Sequence, residues 1–83
     1  MTNTSKLLEK MRNNPTGWRI QQLETLAKPY EVAIRKSGGS HVVFDHPEWV
    51  ELLSVPARRP IKAIYIKRFV ALIETLERYH ERS

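Results

Sequence analysis

The chain contains no cysteine, which excludes a disulfide framework and any thiolate-held metal centre. It has no apolar run near the roughly 18 residues that cross a bilayer, and no secretory leader pattern opens it. A cytoplasmic protein that stays off membranes is expected. Only three glycines are present, two of them adjacent at Gly38-Gly39, and neither stands in a strand-to-helix phosphate loop. Acidic residues are missing from one stretch: the five charged residues in 58–68, Arg58, Arg59, Lys62, Lys67 and Arg68, are all basic. Elsewhere the signs mix, and the chain as a whole carries +5. A basic segment free of carboxylates attracts polyanions, nucleic acid first; the alternative is a solvated loop and helix face.

The 83 residues are read as a single domain, 1–83, because a chain of this size buries only roughly 60 % of its unfolded surface and has room for one modest core. Leu7, Leu8 and Met11, following the caps Thr4 and Ser5, predict a short helix over 4–12, within an N-terminal extension of residues 1–14. Asn13-Asn14-Pro15-Thr16-Gly17 breaks it, and the core spans 18–82. A second helix is expected from Trp18 to Lys28, with Ile20, Leu23, Leu26 and Ala27 on one stripe and Pro29 stopping it. Strands follow over 31–36, 40–45 and 52–56, the first two joined by a Ser37-Gly38-Gly39 turn in which glycine accepts positive φ. The last element is a helix over 64–81. Ile66, Phe69, Val70, Ile73 and Leu76 form its main apolar face, and Tyr65, Leu72 and Tyr79 form a narrower stripe that the N-terminal helix should cover.

The expected class is therefore α+β: α-β-β-β-α with helices on one face of a three-stranded antiparallel sheet, plus an extra short N-terminal helix. That order is the topology of double-stranded-RNA-binding domains.

Three histidines are candidates for chemistry. His80 suits the end of a helix, where a cation complements the dipole. His46 stands where the second strand leaves before Pro47 and reads as a turn residue. His41 opens that strand, and because strand side chains alternate, it points out of the core if Val42 and Phe44 point in. An exposed imidazole can exchange a proton near neutral pH. Asp45 is four residues away, roughly 13 Å along the strand at about 3.3 Å per residue, too far to complete a triad. Ser40 is expected on the opposite face, and no pair of histidines has helical metal-ligand spacing. One exposed histidine beside basic side chains suits RNA cleavage, since RNA supplies its own 2′-OH nucleophile. His41 would be general base or acid. Arg35, Lys36, Arg58, Arg59, Lys62 and Lys67, with the turn residues Gly39 and Ser40, would bind the RNA. No cofactor or metal is expected.

The run Arg35-Lys36-Ser37-Gly38-Gly39-Ser40-His41-Val42-Val43-Phe44-Asp45-His46-Pro47, followed by Leu53-Ser54-Val55-Pro56 and Ile61-Lys62 ahead of an apolar helix, resembles the HicA-type toxins of bacterial type II toxin–antitoxin systems. The resemblance covers residues 18–76. It implies a double-stranded-RNA-binding-like fold, mRNA interferase activity dependent on the histidine at position 41, and neutralisation by a HicB-type antitoxin in a heteromeric complex. Many HicA-type sequences carry Gly-Trp before the first strand; here Tyr30-Glu31 stands there. Two other functions fit the residues: a noncatalytic RNA-binding module of the same fold, and an adaptor domain working through the Tyr65/Leu72/Tyr79 stripe.

Overall fold

The computed structural model describes residues 3–37, 39–58 and 60–82, the side chains of 3–5, 37 and 79–82 excepted. Its elements are α1 (Asn3–Asn13), α2 (Ile20–Ala27), a 3-10 turn (Lys28–Tyr30), β1 (Ala33–Ser37), β2 (His41–Asp45), β3 (Leu53–Pro56) and α3 (Ala63–Arg82). The strands form one antiparallel sheet in the order β1-β2-β3. The class is α+β, with the expected order of elements.

Register fixes the two faces. Ile34 opposes Phe44, Lys36 opposes Val42, and Val42 and Phe44 oppose Val55 and Leu53, so this set faces the helices. Phe44 packs edge-on against Phe69 of α3, ring centroids 5.4 Å apart. Such a pair adds about 0.5–1.5 kcal/mol to what its burial contributes. The other face carries Ala33, Arg35, His41, Val43, Asp45, Ser54 and Pro56 and has no helix over it among the described residues. Leu23, Leu26 and Ala27 of α2 and Ile66, Phe69, Val70, Ile73 and Leu76 of α3 complete the core.

Several expectations require correction. α1 begins at Asn3, so Thr4 and Ser5 lie inside the helix and do not cap it. α2 begins at Ile20, two residues after Trp18, and its α-helix stops at Ala27 ahead of Pro29 as expected; the chain then runs through a 3-10 turn with that proline near its start, where a missing N–H costs nothing. The turn closes with Glu31 in the left-handed region, φ 60°. At the β1–β2 connection Ser37 pairs with His41, leaving residues 38–40 as the link. The expectation of positive φ in this turn rests on Gly38 and on its bond to Gly39, and Gly38 lies outside the described residues.

α1 does pack on α3, as expected, but on a different stripe. Leu8 and Met11 are fully buried, Met11 and Arg12 lie against Lys67, Val70, Ala71 and Glu74, and Arg12 forms an ion pair with Glu74. Tyr65 and Leu72 are occupied otherwise. Trp49, in the turn between β2 and β3 where its backbone N–H donates to the His46 carbonyl, is buried, and its indole N–H donates to the Leu72 carbonyl at 3.2 Å. The side chain of Tyr79 lies outside the described residues. Tyr30 joins the 3-10 turn to α3 by donating its hydroxyl to Glu77 Oε2 at 2.8 Å. Burial first, and then that carboxylate, push the Tyr30 hydroxyl well above the ordinary phenol range.

Candidate active site

The segment between β3 and α3 builds the site. Its start is pinned by the Ala57 N–H, which donates to the Ser40 carbonyl in the β1–β2 turn. Its end is pinned by the buried Ile61, whose N–H donates to the Trp18 carbonyl at 3.2 Å. Trp18 is itself held by its indole N–H on the Asn14 carbonyl at 2.7 Å. Between these pins the chain passes beside the outward start of β2 and enters α3, whose first turn carries no acidic residue.

The result is a cleft of about 470 Å³ lined by Ser40, His41, Pro56, Arg58, Pro60, Ile61, Lys62 and Tyr65. That volume lies within the roughly 300–1,000 Å³ usual for small-ligand sites. His41 is exposed while Val42 and Phe44 are buried, so the alternation inferred from sequence places the imidazole on the outer face. Pro56 opposes it in register. Lys62 stands immediately before α3 and Tyr65 three residues on, the helical spacing that sets side chains on one face. The cleft thus holds one imidazole, one guanidinium, one ammonium, two hydroxyl side chains and no carboxylate. It favours anions, and the unneutralised N-terminal end of α3 adds to that preference.

The other candidates are distributed elsewhere. Ser40 was expected to face away from His41; it lines the same cleft, because it belongs to the turn and strand alternation does not reach it. Arg35 shares the outer face but leans toward the far end of β2, where its guanidinium lies 3.8 Å from Asp45. Lys36 is on the helix-covered face, its ammonium 3.9 Å from Glu24 of α2, and so is separated by the sheet from His41. Gly39 is exposed in the turn. Lys67 lies beside α1, and Arg68 borders a second hollow with Glu48, Trp49, Val50, Glu51 and Leu72. The basic segment is therefore not one patch: helical rotation sends Lys62, Lys67 and Arg68 to different places. Arg59 and the side chain of His80 lie outside the described residues.

His46 sits at the opposite end of β2 from His41. Its Nδ1 accepts the Glu48 N–H at 3.0 Å, and its ring centroid is 5.9 Å from that of Trp49. It caps the turn and does not enter the cleft. Among the described residues no group of three or more His, Asp or Glu side chains is placed to hold a metal ion. No described helix is long and apolar enough to cross a membrane.

Sequence reasoning missed Tyr65 at this site, having assigned it to helix packing. Its three-residue spacing from Lys62 was the available signal. Compared with known proteins, the chain matches no family model, no curated protein and no solved structure.

Proposed function

We propose that the chain is an endoribonuclease that cleaves mRNA by transphosphorylation through the 2′-OH without a metal ion, with His41 moving a proton and Arg58 and Lys62 holding the scissile phosphate. The observation that carries this reading is the cleft itself: an exposed imidazole faces two cations, with no carboxylate to repel a phosphodiester. RNA brings the nucleophile, so the protein has only to transfer protons and balance the charge that develops on phosphorus. The α-β-β-β-α order is compatible with a double-stranded-RNA-binding-like fold. Together with the Gly-Ser-His string it supports a toxin of HicA type, held inactive in the cytoplasm by a HicB-type antitoxin in a heteromeric complex.

The test is induced expression of the wild type and of His41→Ala, with growth and RNA integrity followed together, and cleavage by the purified proteins in EDTA. A positioned proton-transfer group contributes roughly 10²–10⁴-fold, so His41→Ala should lose at least about that lower factor. It should melt like the wild type, as surface variants do. Wild-type cleavage should persist on chelation and leave 2′,3′-cyclic phosphate ends. RNase activity retained in His41→Ala refutes the reading. Salt-dependent RNA binding with no cleavage by the wild type would establish instead a noncatalytic module of the same fold.

A further inference from the structure

Cleavage through the 2′-OH has two proton transfers, one from the attacking hydroxyl and one to the leaving 5′ oxygen. His41 can perform one, and His46, at the far end of β2, cannot perform the other. Resting on the ribonuclease reading above, we propose that Tyr65 is the second catalytic residue, the acid that protonates the 5′ oxygen, which makes His41 the base.

Three observations support the assignment. Tyr65 lines the cleft with His41. Its ring is half-buried against the core, so the phenol is held in place and is not free to sweep through solvent. Its hydroxyl makes no hydrogen bond among the described residues, whereas that of Tyr30 is committed to Glu77. Because no described buried side-chain oxygen or nitrogen lacks a partner, the unbonded Tyr65 hydroxyl must be reachable by solvent.

Chemistry separates the two roles. At neutral pH a phenol carries its proton and is a poor base, whereas an imidazole can arrive unprotonated. The 2′-OH gives its proton to His41 as its oxygen bonds to phosphorus. The P–O5′ bond breaks, and O5′ takes the phenolic proton. The products are a 2′,3′-cyclic phosphate, a 5′-hydroxyl, an imidazolium and a tyrosinate, and one proton passing through solvent from His41 to Tyr65 resets the pair. Lys62, one helical turn away, offsets the charge on the phosphoryl oxygens and on the transient tyrosinate.

A leaving-group substitution tests this directly. An oligoribonucleotide whose scissile 5′ oxygen is replaced by sulfur needs no acid, because a thiolate departs unprotonated. Tyr65→Phe keeps the ring and removes the proton. On the oxygen substrate it should lower kcat by at least about 100-fold with KM little changed, the scale of one proton-transfer group. On the sulfur substrate it should cleave at close to the wild-type rate, while His41→Ala stays slow on both. Tyr65→Phe that is fast on oxygen, or equally slow on both substrates, overturns the role of Tyr65 while leaving the ribonuclease reading intact. Tyr65→Phe active and Tyr65→Leu inactive assigns the ring to base stacking and overturns it equally. A wild type inactive on both substrates overturns the ribonuclease reading itself.

Discussion

Met11→Ala distinguishes an α1 that belongs to the core from one that merely lies on the surface. Met11 is 0 % exposed, wedged between the C-terminal end of α1 and the Val70/Glu74 face of α3. Truncating a buried methionine to alanine costs about 2–5 kcal/mol, the lost transfer energy plus the cavity left behind. For 83 residues the entire stability is only about 4–12 kcal/mol at 0.05–0.15 per residue. In a domain this small each kcal/mol moves the melting temperature by about 4–8 °C, so a fall of at least about 8 °C is expected. Met11→Leu keeps the volume and should cost less than about 1.5 kcal/mol. Arg12→Ala removes only the ion pair to Glu74, whose arginine side chain is 53 % exposed, and should stay within about 1 kcal/mol. Thermal unfolding followed by circular dichroism measures all three. If Met11→Ala melts with the wild type, or if Arg12→Ala is the more damaging, the docking of α1 through apolar burial is refuted.

Two further outcomes are specific. RNA affinity should fall with salt, and Arg58→Gln with Lys62→Gln should lower the log–log salt slope by about 0.7–0.9 for each phosphate no longer neutralised, whereas Lys67→Gln should leave it unchanged because Lys67 lies beside α1; an equal effect of Lys67→Gln would refute the division of the basic segment. The raised Tyr30 hydroxyl binds its proton more tightly folded than unfolded, so its contribution is complete below the ordinary phenol pKa of about 10 and is lost as pH rises beyond that. Alkaline stability curves should therefore fall less steeply in Tyr30→Phe, and parallel curves would show that folding does not raise the Tyr30 hydroxyl at all.

How much of this could be read from the chain depends on how local each determinant is. The outward position of His41 follows from the alternation Val42, Val43, Phe44 in a single strand, and the α3 core face follows from one helical period; both survive folding because each is set within one element. Lys36 misleads because a basic residue next to an outward Arg35 must itself turn inward, and at the sheet edge it meets Glu24 instead of leucine. Trp49 looks like a turn residue until α3 supplies the Leu72 carbonyl to its indole. The stripe chosen for α1 fails for a related reason: Tyr65 and Leu72 were available in the helix alone, but the β2–β3 connection covers one and the cleft claims the other. Tyr65 enters the site only through the placement of α3 against the start of β2, which no single element encodes.

The two backbone pins of the 57–62 segment, on Ser40 and on Trp18, make occupancy of the cleft and closure of the fold a single equilibrium. Walls drawn from the turn and start of β2, from the end of β3 and from the entrance of α3, with a tether reaching back to Trp18, have no existence in a chain whose last helix has come loose. An anion bound there at 100 times its Kd should raise the unfolding free energy by about 2.7 kcal/mol. Conversely, a substitution behind Trp18 or Ile61, remote from anything bound, weakens apparent affinity by the fraction of molecules left open. Thermal shift in the presence of polyanion thus becomes a gauge of how firmly the α3 entrance is closed.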